Sequence, residues 1–79
     1  MSARDFQIIY PSDVRIGYRI DDAQVHHLWT IEEIKQDGDY FEFIGSRMGG
    51  RVRPRRYTCK MRVHKEYQLF REMNPKIDY

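Results

Sequence analysis

The sequence predicts a mainly β fold, namely a small and strongly twisted antiparallel barrel of four or five strands. Apolar and polar residues alternate over several short segments, which is typical of half-buried strands. Glycine, proline, asparagine and aspartate separate these segments at short intervals and predict tight turns. With only 79 residues, the chain is too short for two packed sheets, so its strands are expected to curl around one core.

We expect one domain over residues 1–79, because the sequence contains no internal repeat, low-complexity tract or long linker. Within it, residues 1–11 are predicted to form an N-terminal arm or an edge strand. Residues 12–73 are predicted to form the barrel, and residues 74–79 are predicted to form a tail.

The first strand of the barrel is predicted over residues 14–20. Apolar residues occupy one set of alternate positions and polar or small residues the other: Val14, Ile16, Tyr18 and Ile20 against Arg15, Gly17 and Arg19. Because successive side chains of a strand point to opposite faces, this pattern predicts one buried and one exposed face.

Residues 28–35 have two interpretations. The run Thr30-Ile31-Glu32-Glu33 fits the capping box that begins a helix. Such a helix would have about two turns and an apolar stripe of only Ile31 and Ile34, and helices that short are marginal without tertiary contacts. A bulged strand is therefore favoured. The helix stays open as the alternative.

Three further segments complete the predicted barrel. Asp37-Gly38 is predicted to turn the chain into a strand over residues 40–44. After a turn at Gly49-Gly50, alternation over residues 57–63 predicts a half-buried strand with a cationic outer face. The segment Glu66–Met73 fits either a last strand or a short C-terminal helix.

The strand order and turn placement resemble those of SH3-like small barrels of the KOW and Tudor kind. The resemblance is carried by Val14–Ile20, then Trp29-Thr30-Ile31, then the hairpin through Asp37-Gly38. It covers roughly residues 12–70 and involves no family-specific motif. It implies a binding module of a type that often works on RNA, on DNA or on the machinery that handles them, although a fold alone does not fix a function.

The charges of the chain are strongly segregated. The net charge is +2, yet residues 1–46 contain nine acidic and four basic residues, whereas residues 47–65 contain eight basic residues and no acidic one. The predicted binding residues are Arg47, Arg51, Arg53, Arg55, Arg56, Lys60, Arg62 and Lys65, with Tyr57 and Tyr40 as stacking surfaces. Arginine forms bidentate contacts with phosphate and stacks on bases, so this segment predicts contact with the phosphate backbone of DNA or RNA.

Two alternatives compete with a nucleic-acid ligand. The basic strand can instead form ion pairs with the acidic half of its own barrel, which offers Glu32, Glu33, Asp37, Asp39 and Glu42. Arginine-rich faces also bind acidic protein surfaces. The chain would then be an adaptor or inhibitor, of the kind that phages and plasmids encode, which docks on a larger host enzyme or assembly. A monomer or a weak homodimer is expected in either case.

Catalysis and metal binding are weakly indicated. Cys59 falls on the apolar side of its predicted strand, where a small buried residue is the ordinary interpretation. His26-His27 beside Asp21-Asp22 lacks the spacing of a zinc site, and His64 stands apart. We therefore expect no enzyme activity, no cofactor and no metal. A cytoplasmic location is expected, since the sequence has neither a signal peptide nor a membrane-spanning run.

Two statements concern aromatic residues. Trp29 is predicted to lie in the core rather than on the surface. Tyr40, Phe41 and Phe43 cannot all point inward from one strand, so at least one of them is expected to be partly exposed.

Overall fold

A six-stranded antiparallel sheet contains nearly all the regular structure in a computed structural model that describes residues 6–22 and 27–73. The strands are β1 (Phe6–Ile9), β2 (Arg19–Asp22), β3 (His27–Asp37), β4 (Tyr40–Gly49), β5 (Arg55–His64) and β6 (Leu69–Glu72). Their order across the sheet is β1-β6-β2-β3-β4-β5, and a 3-10 turn at Pro11–Asp13 follows β1.

The sheet is open, and the predicted closed barrel of four or five strands is not confirmed. Closure would require β5 to pair with β6, but β6 pairs with β1 along one edge and with β2 along the other. Residues 6–9, which precede the predicted barrel, form the additional strand β1. This strand pairs with the edge of β6 that β5 would need in order to close the barrel. The mainly β prediction itself is confirmed.

The middle of the sheet follows the sequence closely. Residues 28–35 lie in β3, which confirms the strand and excludes the helix. The register of β3 against β4 shifts between Ile31 and Glu33, so Glu32 is the extra residue of a β-bulge. The bulge explains why Ile31 and Ile34, three residues apart, both turn toward the core.

The segment before β2 differs from its prediction. The strand begins only at Arg19, and Ile16 is 67% exposed, although its parity predicted burial. Gly17 has a φ of +98°, which ends the alternation by turning the chain. The segment still follows β3, because Gly17 donates a backbone hydrogen bond to Ile31, whose N–H donates to Tyr18.

The C-terminal alternative is decided in favour of a strand. Leu69–Glu72 forms β6, and the short helix proposed for this segment is wrong. Leu69 is buried against the core, whereas Phe70 on the opposite face is partly exposed. No helix in the described part of the chain has the length and apolar character needed to cross a membrane. The predicted tail, residues 74–79, lies outside the described residues.

The core lies on the inner face of the sheet, and every strand contributes to it. The buried residues are Ile9, Val14, Ile20, Trp29, Ile31, Phe41, Phe43, Met61, Val63 and Leu69. Trp29 is buried, as predicted, while Tyr40 is the exposed member of the aromatic trio on β4. Gly45 allows β3 and β4 to approach, because a Cβ there would lie 1.9 Å from the carbonyl oxygen of Thr30.

Candidate functional site

The structure divides the predicted basic segment between two faces and two ends of the β4–β5 hairpin. Strand register places Phe43 opposite Met61 and Arg47 opposite Tyr57 on the inner face. The outer face carries the alternate residues, such as Ile44 opposite Lys60. Eight cations that are neighbours in the sequence therefore have different surroundings, and the acidic residues lie near only half of them.

Three basic residues at the β3–β4 turn end of the hairpin are paired with carboxylates. Lys60 Nζ lies 3.3 Å from a Glu42 oxygen. Arg62 Nη1 lies 3.8 Å from Asp37. Lys65 Nζ lies 3.4 Å from Asp39. These are the cross-strand pairs expected if the basic strand lies against the acidic half, and each contributes at most about 1 kcal/mol because it is exposed.

Arg56 is paired as well, with the residue of the β-bulge. Its guanidinium donates to the Glu32 carboxylate, which also accepts a 2.7 Å hydrogen bond from the Ser46 hydroxyl. The Ser46 hydrogen bond, followed by that of Arg56, lowers the pKa of Glu32 below its ordinary value of 4.5. The bulge thus places the Glu32 carboxylate across β4, where it accepts a hydrogen bond from Arg56 of β5.

The other end of the hairpin projects beyond the rest of the sheet. The pairing of β3 with β4 ends at Thr30 opposite Ser46, so the β4 residues that follow pair with β5 alone. Three residue pairs and a five-residue connection form a two-stranded ribbon over residues 47–57, hereafter the ribbon. The ribbon contains five arginines and no acidic residue.

Four of these arginines form no ion pair with any carboxylate of the described residues: Arg47, Arg51, Arg53 and Arg55. Two of them lie over the Tyr57 ring, with guanidinium carbons 4.5 Å (Arg47) and 5.6 Å (Arg55) from its centroid. Such cation–π contacts hold the guanidinium groups in place without neutralising them. Tyr57 therefore organises two cations that keep their full charge.

The connection at the end of the ribbon is compact and exposed. Gly50 has a φ of +103°, and a Cβ there would lie 2.7 Å from the Arg53 carbonyl oxygen, so this turn requires glycine. Val52 is 90% exposed between Arg51 and Arg53, both also exposed. The turn thus presents an apolar side chain between two cations.

Tyr40, the second predicted stacking surface, lies far from the ribbon at the opposite end of β4. The Arg62 guanidinium lies 4.8 Å from its ring centroid, and the His64 ring meets it edge-on at 5.3 Å. Arg62 also faces Asp37. Tyr40 and Tyr57 thus have similar aromatic–cation contacts, but only those of Tyr57 are free of acidic neighbours.

Sequence reasoning did not identify two exposed apolar residues of the ribbon, Val52 and Met48, as site residues. Met48 is 65% exposed on the outer face, next to Arg56. The exposure of these two residues could have been predicted from the run from Arg47 to Tyr57, which contains five arginines and no acidic residue. An apolar residue in such a short and highly charged segment is difficult to bury.

The residues weighed for metal or catalytic roles are not assembled into a site in the described part of the chain. Cys59 is half-buried on the inner face of β5, between Tyr57 and Met61. The His26-His27 pair lies outside the residues whose side chains are described. No three histidine, cysteine or acidic side chains of the described residues are grouped as metal ligands.

Comparison with protein-family models, with curated protein sequences and with solved structures finds no match to this chain. Its function has therefore to be inferred from the residues and their geometry.

Proposed function

We propose that this chain is a non-catalytic binding domain that contacts nucleic acid through the ribbon, reading shape and phosphate positions rather than base sequence. The observation that carries this proposal is the set of four arginines, Arg47, Arg51, Arg53 and Arg55, that have no carboxylate partner among the described residues. A polyanion supplies the charges that the protein itself does not provide at this end.

The unpaired arginines narrow the predicted interface. Lys60, Arg62 and Lys65 belong to the predicted set but already have carboxylates within 4 Å. A nucleic acid gains less from them, because its phosphates must compete with those carboxylates. We therefore assign nucleic-acid binding to the ribbon. Lys60, Arg62 and Lys65 instead balance the negative charges of the sheet.

Counterion release gives the proposal a quantitative form. Four phosphate contacts predict a slope of log K against log salt of about −3.6 on duplex DNA and about −2.8 on a single strand. Affinity should therefore fall roughly a hundredfold between about 50 and 200 mM salt on duplex DNA. A constant affinity over this range contradicts the proposal.

Two double variants with the same change in net charge test the location of the interface. Arg51→Gln/Arg53→Gln should weaken binding at least about tenfold and reduce the salt slope by about 1.8. Lys60→Gln/Arg62→Gln should retain affinity within about threefold, because these bases are already paired. Fluorescence anisotropy across a salt series measures both. Equal losses in the two variants contradict an interface in the ribbon.

A protein partner is the second candidate function, and the exposed Val52 and Met48 favour it. Methionine and arginine are both enriched at protein–protein interfaces, and Val52 adds exposed apolar surface beside them. A pulldown from nuclease-treated lysate separates the candidates. A stoichiometric protein retained by the wild-type chain and lost with Val52→Asp supports this second function, whereas loss of all bound material supports the first.

The similarity to SH3-like barrels stays a prediction, as does the binding-module role that it implies. Of the segments that carry the resemblance, Val14–Ile20 is a strand only from Arg19, and the others lie in β3 and β4, whereas the ribbon extends past Ser46. The proposed interface does not depend on that assignment.

A further inference from the structure

The ribbon has the shape of an element that enters a groove. It consists of two strands, and neither is paired on its outer edge with another strand of the described residues: β3 stops pairing with β4 at Ser46, and β5 is an edge strand of the sheet. The three residue pairs Arg47–Tyr57, Met48–Arg56 and Gly49–Arg55 give it a length of about 10 Å before the connection begins. The major groove of B-form DNA, about 12 Å wide, admits a two-stranded ribbon of this kind.

We propose that the ribbon enters the major groove of a B-form DNA duplex, an inference that rests on the proposed nucleic-acid function and specifies its ligand. Arg47 and Arg55 project from one face of the ribbon, while Arg51 and Arg53 lie in the connection. This distribution places cations both along the groove and at its phosphate walls. Arginine suits both positions, because its planar guanidinium forms bidentate contacts with phosphate.

The geometry disfavours the two other nucleic-acid forms. The major groove of A-form RNA is deep and narrow, so it does not accept a protein ribbon. Single-strand binding relies on aromatic faces that are open to bases. Tyr57 is the aromatic residue of the ribbon, and two guanidinium groups already lie within 6 Å of its ring centroid.

Val52 has a specific part in this arrangement. It is 90% exposed at the far end of the ribbon, between two arginines that are drawn to phosphates. An apolar side chain brought to the floor of the major groove removes apolar surface from water. We infer that Val52 is buried in this way, which adds affinity without adding a charge.

The decisive experiment compares three ligands of one sequence: a 20-base-pair DNA duplex, the matching RNA duplex and the single DNA strand. We expect the DNA duplex to bind the wild-type chain at least about tenfold more tightly than either other form at equal salt. Tighter binding of the RNA duplex or of the single strand overturns the groove assignment and leaves the proposed function standing. Binding to none of the three overturns the proposed function itself.

Competition on the DNA duplex identifies the groove. A major-groove dye such as methyl green should displace the protein, whereas a minor-groove ligand such as netropsin should leave it bound. The opposite pattern overturns the proposal.

Two matched variants test Val52. Val52→Ser should weaken duplex binding about fivefold with no change in salt slope. Ile16→Ser removes a comparably exposed apolar side chain, at 67% exposure, from a turn outside the ribbon, and should have no effect. Equal effects of the two substitutions, or none from Val52→Ser, contradict the role given to Val52.

Discussion

The two ends of the β4–β5 hairpin carry the same kinds of residue in opposite electrostatic situations. At one end, Tyr40 lies beside Arg62, which faces the carboxylate of Asp37. At the other end, Tyr57 lies beside Arg47 and Arg55, which have no carboxylate among the described residues. The difference comes from β3, which runs beside the first end and stops pairing before the second.

This contrast shows that a count of basic residues does not define a binding surface. The acidic residues of β3, β4 and the β3–β4 turn form ion pairs with Arg56, Lys60, Arg62 and Lys65 of the basic segment, and no described carboxylate forms one with its other four cations. Beyond Ser46, where β4 is no longer paired with β3, the described residues place no carboxylate beside Arg47, Arg51, Arg53 or Arg55. The availability of a cation is therefore decided by strand pairing.

The largest expected difference between the two parts of β4 concerns its glycines. Gly45→Ala should destabilise the protein by about 3 kcal/mol or more, because a Cβ would lie 1.9 Å from the Thr30 carbonyl oxygen and the strands must separate. Gly49→Ala should cost less than about 1 kcal/mol, since its Cβ would meet the movable end of Arg47 at 2.5 Å. Denaturant unfolding measures both.

Similar stability losses from the two glycine substitutions would show that the ribbon is as tightly packed as the sheet. The same experiment gives a useful intermediate variant. If Gly49→Ala retains the fold and displaces Arg47 from Tyr57, its DNA affinity reports directly on that contact.

The two tyrosines are expected to differ by a smaller amount. Tyr57→Leu should weaken nucleic-acid binding about three- to tenfold, because Arg47 and Arg55 lose the ring that orients them. Tyr40→Leu removes an equally exposed aromatic side chain near paired cations and should change affinity less than about twofold. Isothermal titration of both variants makes the comparison. A larger loss of affinity from Tyr40→Leu than from Tyr57→Leu would place the interface at the β3–β4 turn end of the hairpin and contradict an interface in the ribbon.

The smallest expected effect concerns pH and the ion pair at the junction between sheet and ribbon. The folded-state pKa of Glu32 is lowered, chiefly by the Ser46 hydrogen bond and then by Arg56. Its contribution to stability is therefore present above about pH 4.5 and is lost as the pH falls through the folded-state pKa. Between neutral pH and pH 3, the free energy of unfolding should fall less in the Glu32→Gln variant than in the wild type.

Ser46→Ala provides the control for this pH effect. Alone, it should weaken the pH dependence, because the hydroxyl is the largest cause of the pKa shift. In the Glu32→Gln background it should leave the pH dependence unchanged. An unchanged pH profile in all three variants would mean that the carboxylate is not stabilised by these partners in solution.

The central strands could be predicted because local pattern and tertiary contacts agree there. The bulge near Glu32 was predictable from Ile31 and Ile34, because their spacing of three does not fit a regular strand and the alternative helix would be too short to be stable alone. The turn at Gly38, with a φ of +61°, was predictable from the Asp-Gly pair. Such features depend on neighbours in sequence.

The open sheet could not be predicted, because it depends on a competition between distant segments. Phe6–Ile9 and β5 are alternative partners for the same edge of β6, and nothing in either sequence ranks them. The strand predicted over residues 14–20 failed for a related reason: Gly17 allows a turn, and its use is decided by contacts with Ile31.

The residue types of the candidate site were predictable from the sequence. Which of its basic residues form ion pairs with carboxylates was not. The run without acidic residues defined the segment Arg47–Lys65. Of the five acidic residues predicted to pair with it, Glu32, Asp37, Asp39 and Glu42 do so, whereas Glu33 lies 3.7 Å from Lys35 of its own strand. The ion pairs account for one half of the segment, and binding by the other half stays a prediction. The register that separates the halves is set by the hairpin turn and the length of β3.

Four arginines without a carboxylate partner among the described residues lie at one end, so the charge of the described part of the molecule is unevenly distributed. Since the whole chain carries +2 and these arginines carry +4, all other residues sum to −2. In the field of a polyanion such a body rotates before it makes contact, so a large share of collisions begin with the ribbon leading. The rate of association, more than the final affinity, should then depend on keeping the rest of the surface acidic.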